Sequence, residues 1–95
     1  DKFFVEQNYP NPFNPATTIA FGIPEAGNVK LKIFDITGKE IKTLLNEYRD
    51  AGYYTAKFDA SGLASGVYVY RLAVSPSNPI ESGNFVSARK MVLLK

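Results

Sequence analysis

After the turn signal Glu25-Ala26-Gly27-Asn28 the side chains alternate: Val29, Leu31 and Ile33 are apolar, while Lys30 and Lys32 are charged. A period of two puts the apolar groups on one face of an extended strand and both lysines on the other, which marks a strand with one buried side. A chain built from such runs has to fold as layered sheets.

Runs of this kind fill most of the 95 residues. In TTIAFGIP, Ile19, Phe21 and Ile23 alternate with Thr18, Ala20 and Gly22 until Pro24 closes the run. Asp35-Ile36-Thr37-Gly38-Lys39 supplies a short hairpin, with Gly38 where positive φ is needed, and Ile41 to Leu45 form the returning strand. Residues 40–48 also fit a short helix, since Ile41, Leu44, Leu45 and Tyr48 fall at i, i+3, i+4 and i+7, but the preceding hairpin favours a strand. Further on, Tyr54, Ala56 and Phe58 oppose Tyr53, Thr55 and Lys57. After the turn ASGLASG, the run GVYVYRLAV is apolar on both faces, as in a central strand covered on both sides. The polar stretch SPSNPIESG, 75–83, reads as a loop-like insertion, and NFVSARKMVLLK reads as a closing strand. About seven short strands with no helix predict an all-β, antiparallel immunoglobulin-like sandwich. The order in which the strands pair does not follow from the pattern.

Composition limits the chemistry. With 45% apolar residues the chain can fill a core, and its length suits one domain. The net charge of +2 is too small to argue for nucleic acid, although residues 51–95 carry five basic and two acidic groups and are mildly basic. There is no Cys and no His. That excludes Ser-His-Asp and Cys-His nucleophilic sites, zinc sites of the His/Cys type and any disulfide framework, so no catalytic, metal or cofactor residue is assigned. No apolar run approaches the roughly 18 to 20 residues needed to span a bilayer as a helix. Beginning at Asp1 with neither Met nor a signal-peptide pattern, residues 1–95 are expected to be a single domain cut from a longer precursor.

The segment NYPNPFNP, 8–15, is unlike the rest. Pro10, Pro12 and Pro15 fix their own φ and push Tyr9, Asn11 and Asn14 into extended or turn conformations, so a stiff crossing is expected rather than a ladder strand. Tyr9 or Phe13 is expected to plug an edge or end of the sandwich. Asn8, Asn11 and Asn14 are expected to bond backbone groups left without a strand partner.

Three segments carry a resemblance to a known family. QNYPNPFNPATTIAFGIPEAGNVKLKIFDITGKEIKTL, AGYYTAKFDASGLASGVYVYRL and RKMVLLK, in that order from about Phe3 to Lys95, resemble the type A C-terminal sorting domains of cargo for the bacterial type IX (Por) secretion system. These are similar in turn to the immunoglobulin-like domain of flagellar hook-capping proteins. The resemblance implies a non-catalytic export address on a larger cargo protein that reaches the periplasm by an ordinary signal peptide. It implies recognition by the outer-membrane translocon and frequent removal by a sortase-like protease, with the cargo anchored at the cell surface or released. It also implies that Lys90, Met91, Val92, Leu93, Leu94 and Lys95, together with Gly66, Val67, Tyr68, Tyr70 and Arg71, are recognition elements. The chain departs from the family pattern in the SPSNPIES insertion before GNF, and in Phe58 where many relatives carry Trp.

A physical route fits that reading. A closing strand at a sheet edge presents unpaired backbone groups to which a partner could add a strand, with Lys90 and Lys95 aiding encounter. Either Met91 and Leu93 or Val92 and Leu94 are core, and the sequence leaves the choice open. Arg71 is expected to pair with Asp35 or Asp59 and hold the fold, the alternative being that it faces a receptor. The domain is expected to be a monomer, though the same edge could pair with its own copy. Two other readings stay open: a structural or adhesive surface module, and a carbohydrate-binding module using exposed Tyr53, Tyr68 or Tyr70 as stacking platforms. A carboxylate pair from Asp35 and Asp59 is selected by nothing in the spacing.

Overall fold

The computed structural model describes residues 2–78 and 83–95. Its strands are β1 (Phe4–Val5), β2 (Ala16–Ile23), β3 (Gly27–Asp35), β4 (Glu40–Arg49), β5 (Gly52–Asp59), β6 (Gly66–Pro76) and β7 (Phe85–Leu93). All pairings are antiparallel, in a three-stranded sheet ordered β1-β2-β5 and a four-stranded sheet ordered β4-β3-β6-β7. The inward rows of both sheets meet in one core: Ile19, Phe21 and Phe58 from one side, Val29, Leu31, Ile33, Tyr70, Leu72, Met91 and Leu93 from the other. This is the predicted immunoglobulin-like sandwich.

The strand order shows which variant it is. In the constant-type immunoglobulin arrangement the fourth strand lies in the sheet of the first, second and fifth. Here β4 folds back on β3, and the turn between them explains why. Asp35 N–H donates to Lys39 O at 2.9 Å, Gly38 N–H donates to Asp35 O at 3.0 Å, and Gly38 holds a φ of 92°. A three-residue loop with glycine in the left-handed region is a hairpin connection, so the next strand has to pair with the one just left.

Strand β4 also accounts for the helix-like spacing in its sequence. Its register with β3 shifts between Leu31/Lys32 and between Ile33/Phe34, where Leu44 and Ile41 stand as extra residues. Each bulge resets the alternation by one residue. Two bulges turn a period of two into i, i+3, i+4, and Ile41, Leu44 and Leu45 all pack against the core while Tyr48 is exposed.

Two further expectations about β6 need correction. The strand does not give way to a loop at Ser75 but continues through a buried Pro76, which pairs with Gly27. A Cβ on Gly27 would collide with the backbone of Ser75 and Pro76, so this approach requires glycine. Residues 79–82 of the expected insertion lie outside the described residues. Nor is β6 covered on both sides: its outer residues Val67, Val69 and Ala73 are half-buried by neighbouring side chains, and Arg71 is exposed.

Candidate functional site

The crossing ties the two sheets together. Tyr9 exchanges both backbone hydrogen bonds with Thr18 of β2, at 2.9 Å each. Four residues later Phe13 makes a parallel bridge to Leu93 of β7: its N–H donates to Val92 O at 2.9 Å and its carbonyl accepts from Leu94 N–H at 3.0 Å. The segment is therefore a strap that leaves one sheet and ends on the edge of the other. Phe13 is the aromatic plug, buried against Phe58 with ring centroids 6.1 Å apart, whereas Tyr9 is 80% exposed. All three X-Pro bonds, Tyr9-Pro10, Asn11-Pro12 and Asn14-Pro15, are cis.

The asparagines divide the work. Buried Asn8 donates from Nδ2 to Pro10 O and to Thr17 Oγ1, and Thr17 Oγ1 donates in turn to Pro10 O at 2.8 Å. Asn11 Oδ1 accepts from Val92 N–H at 2.9 Å. Asn14 is exposed and takes no part in this network. Beneath the strap lies the Tyr70 hydroxyl, which donates to Glu6 O at 2.6 Å and accepts from Asn8 N–H at 2.9 Å. Burial raises the Tyr70 hydroxyl pKa above its ordinary value.

The end of β7 is consequently not the open edge that the sequence suggests. Gln7 Nε2 donates to Lys90 O, Asn11 takes Val92 N–H, and Phe13 takes Val92 O and Leu94 N–H. Arg89 Nε reaches back to Val5 O at 2.8 Å, and Lys95 N–H donates to Ser65 Oγ. A segment near the amino end thus occupies the outward backbone groups from Lys90 O to Leu94 N–H that strand addition there would need.

Burial sorts the proposed recognition residues into two sets. Met91 and Leu93 are fully buried, which decides the alternation left open above: Val92 is half-buried on the outer face and Leu94 is 55% exposed. Lys90 and Lys95 are exposed. On β6, Tyr70 is fully buried and Tyr68 nearly so, the Tyr68 hydroxyl donating to Ala64 O at 2.7 Å. Their side chains face the core because β6 alternates inward at Tyr68, Tyr70, Leu72 and Val74. They offer no surface to a receptor or a sugar. Gly66 and Val67 open the strand beside Leu93 and Val92, and Arg71 lies opposite Ala88.

Arg71 does not pair with Asp35 or Asp59. Its guanidinium lies 4.6 Å from the centre of the Phe34 ring, a cation–π contact on the outer face of the four-stranded sheet. Asp35 is instead occupied in its own turn, where bonds first from the Thr37 hydroxyl and then from the Lys39 amide lower its pKa. Asp59 is lowered in the same way by the Ser61 hydroxyl and amide, and Glu40 by Lys32 and then the Thr43 hydroxyl. The carboxylates therefore serve turns and an ion pair, Lys32 to Glu40 at 3.1 Å. Among the described residues no group of three or more candidate metal ligands is present, and no helix is long and apolar enough to cross a membrane.

On the other sheet, exposed Tyr53 contacts Phe4 edge-to-face at 5.3 Å and donates to Glu6 at 3.0 Å, and that carboxylate raises the Tyr53 pKa. With Tyr68 and Tyr70 buried, the stacking row required for carbohydrate binding is not formed by the three tyrosines.

The strap, the closing strand and the sandwich between them agree with what the comparisons find. The family model described as "Secretion system C-terminal sorting domain" matches residues 7–92. In structure the chain is similar to dimeric latent PorU from Porphyromonas gingivalis, with a TM-score of 0.72 and 22% identity, over 99% of this chain and 10% of that one. The chain therefore spans about a tenth of that protein, and the likeness at this identity is one of fold. No curated protein matches it in sequence. A model match from Gln7 to Val92 takes in both the strap and the closing strand, and the chain belongs to the family of secretion-system C-terminal sorting domains, the sorting signals of type IX secretion.

Proposed function

We propose that the chain acts as a passive address on a larger secreted protein: an outer-membrane translocon reads it in the folded state from the periplasmic side, and it performs no catalysis of its own. Family membership makes it a sorting signal whose carrier is destined for the cell surface or the outside. Sorting domains are generally non-catalytic, and Asp35, Asp59 and Glu40 are engaged in turns or an ion pair. Removal by a sortase-like protease after passage completes the reading.

The observation that carries the proposal furthest is the split of the closing strand into a buried and a displayed row. Met91 and Leu93 hold the core, while Ala88, Lys90 and Val92 lie on the outer face, with Leu94 and Lys95 exposed beyond. A receptor that binds the folded domain reads Lys90, Val92, Leu94 and Lys95, with Val67 and Arg71 beside them. Met91, Leu93, Tyr68 and Tyr70 act only by keeping the strand in place.

A periplasm-targeted fluorescent protein fused to residues 1–95 tests this in a bacterium with a working type IX system and in a translocon-deficient strain. Export that needs both the translocon and Lys90 to Lys95, and that falls when Lys90, Leu94 and Lys95 are replaced by Ser without loss of folding, is the expected result. A folded fusion retained in the periplasm of both strains would refute it and favour a resident surface module.

A further inference from the structure

The strap covers only part of the β7 edge. Because β6 and β7 pair without a register shift from Phe85 to Leu93, the residues whose backbone groups point away from β6 can be read by parity from Val92, whose N–H and C=O both meet the strap. They are Val86, Ala88 and Lys90. Lys90 O is taken by Gln7, but among the described residues the N–H and C=O of Val86 and Ala88 and the N–H of Lys90 make no hydrogen bond, while the inner margin of the stretch is packed by the Phe3–Phe85 stack and the Arg89–Val5 bond. This open stretch is regular, unlike the bulged first half of the β4 edge.

Its surroundings are basic. From Phe85 to Lys95 the chain carries Arg89, Lys90 and Lys95 and no carboxylate, and Arg71 lies opposite Ala88, while Lys32 beyond it is neutralised by Glu40. The surface dips on either side of Ala88. One depression of about 300 Å³ is bounded by Phe34, Asp35, Ile36, Gly38, Val69, Arg71 and Ala88, its one carboxylate held in the Asp35 turn, and another of about 210 Å³, with no carboxylate, by Val69, Ala88, Arg89 and Lys90. In strand addition, main-chain bonds supply affinity and alternate side chains settle into such depressions to supply specificity. A second copy of this chain is disfavoured, because pairing two β7 edges would bring like charges together.

We propose that the open edge of β7, Val86 to Lys90, docks an extended, acidic strand of a partner protein. Its backbone would extend the four-stranded sheet, and its carboxylates would reach Lys90 and, across the small Ala88, Arg71. This rests on the sorting reading above for its biological setting, and it puts strand addition at 86–90 rather than at the strapped end, 90–95.

The probe is a fluorescein-labelled extended peptide of about seven residues alternating Glu and Val, with a Lys-for-Glu peptide as control. With the full chain, the Glu peptide is expected to bind, to perturb the amide resonances of Val86, Ala88 and Lys90, and to weaken as salt is raised. Ala88→Pro removes an outward N–H, which an edge strand tolerates, and should lower the affinity at least about tenfold while thermal unfolding stays near that of the parent. Should that variant not fold, Arg71→Glu combined with Lys90→Glu carries the same test by reversing the peptide preference. Unchanged binding by a folded Ala88→Pro chain, perturbations centred elsewhere, or a dimer in solution that Ala88→Pro dissolves would each overturn the proposal. Fused to the export reporter, Ala88→Pro should lose secretion. If it is secreted normally while removal of Lys90 to Lys95 abolishes export, the edge proposal falls and the sorting reading stands. If neither change affects export, the sorting reading falls as well.

Discussion

The four-stranded sheet ends in β4 on one side and β7 on the other, and the two edges are protected in different ways. An exposed edge is a template for unwanted pairing, so it has to be blunted or covered. At β4 the protection is built into the first half of the strand: bulges at Ile41 and Leu44 break the ladder spacing there, so no regular strand can align along its full length, although Leu45 to Arg49 pair with β3 without a shift. At β7 the strand is regular throughout and the cover comes from elsewhere, from Gln7, Asn11 and Phe13. A bulged edge is a poor template along its whole length. A regular edge under a cover keeps its capacity to pair, and this one is left open at Val86 and Ala88.

Removing the plug should break this contrast most severely. Phe13→Ala empties a buried aromatic site between Phe58 and the end of β7 and is expected to cost about 3 to 5 kcal/mol, read from chemical denaturation. A loss under about 1 kcal/mol would mean that the strap holds without its anchor. Next comes Tyr70→Phe, which takes the hydroxyl from under the strap and leaves buried Asn8 N–H and Glu6 O without it. About 1 to 3 kcal/mol is expected, with the crossing loosened before the sheets. Asn11→Ala is milder, about 0.5 to 1 kcal/mol, since the Val92 amide it frees can turn to water. Its sharper signature is hydrogen exchange: the Val92 amide should speed up by about tenfold while the Met91 amide, bonded to β6, does not. Equal acceleration at both would show that the strap and the β6 ladder open as one unit.

The smallest effect concerns the β4 side. Asp35, Glu40 and Asp59 have folded-state pKa values below their ordinary ones. Their bonding therefore contributes above the unfolded carboxylate range, near about 4, and is lost as pH falls through the lowered values. Melting temperature measured down through that range should fall, and Asp35→Asn should flatten the fall slightly without altering exchange at Val92. A melting temperature that rises on acidification would contradict the assignment of these carboxylates to the turns and the Lys32 pair.

The alternation of Ile19, Phe21 and Ile23, and of Val29, Leu31 and Ile33, was enough to read the layered architecture, because each run has one apolar face. The hairpin at Gly38 was legible too, and it determines that β4 lies beside β3. The closing strand was harder. Met91, Val92, Leu93 and Leu94 are all apolar, so their pattern carries no parity, and only pairing with β6 shows that Met91 and Leu93 are inside. The apolar run of β6 had the same ambiguity and invited the idea of a second covering layer. The strap over β7 was beyond reach for a different reason. Its bonds join residues more than eighty positions apart and use backbone groups, which every residue possesses and no composition betrays.

Those long separations bear on when the domain can become whole. Gln7, Asn11 and Phe13 are made well before the groups they bind, which lie at Lys90, Val92 and Leu94. Contacts so distant in sequence form late and close the largest loops in the chain. A chain ending before Leu94 can assemble most of both sheets yet leave Phe13 without its last hydrogen bond and Asn11 without a purpose if Val92 is missing too. The strap therefore makes its own fastening conditional on residues 90–94: with them missing, the sheets keep most of their ladders while the crossing is left untied.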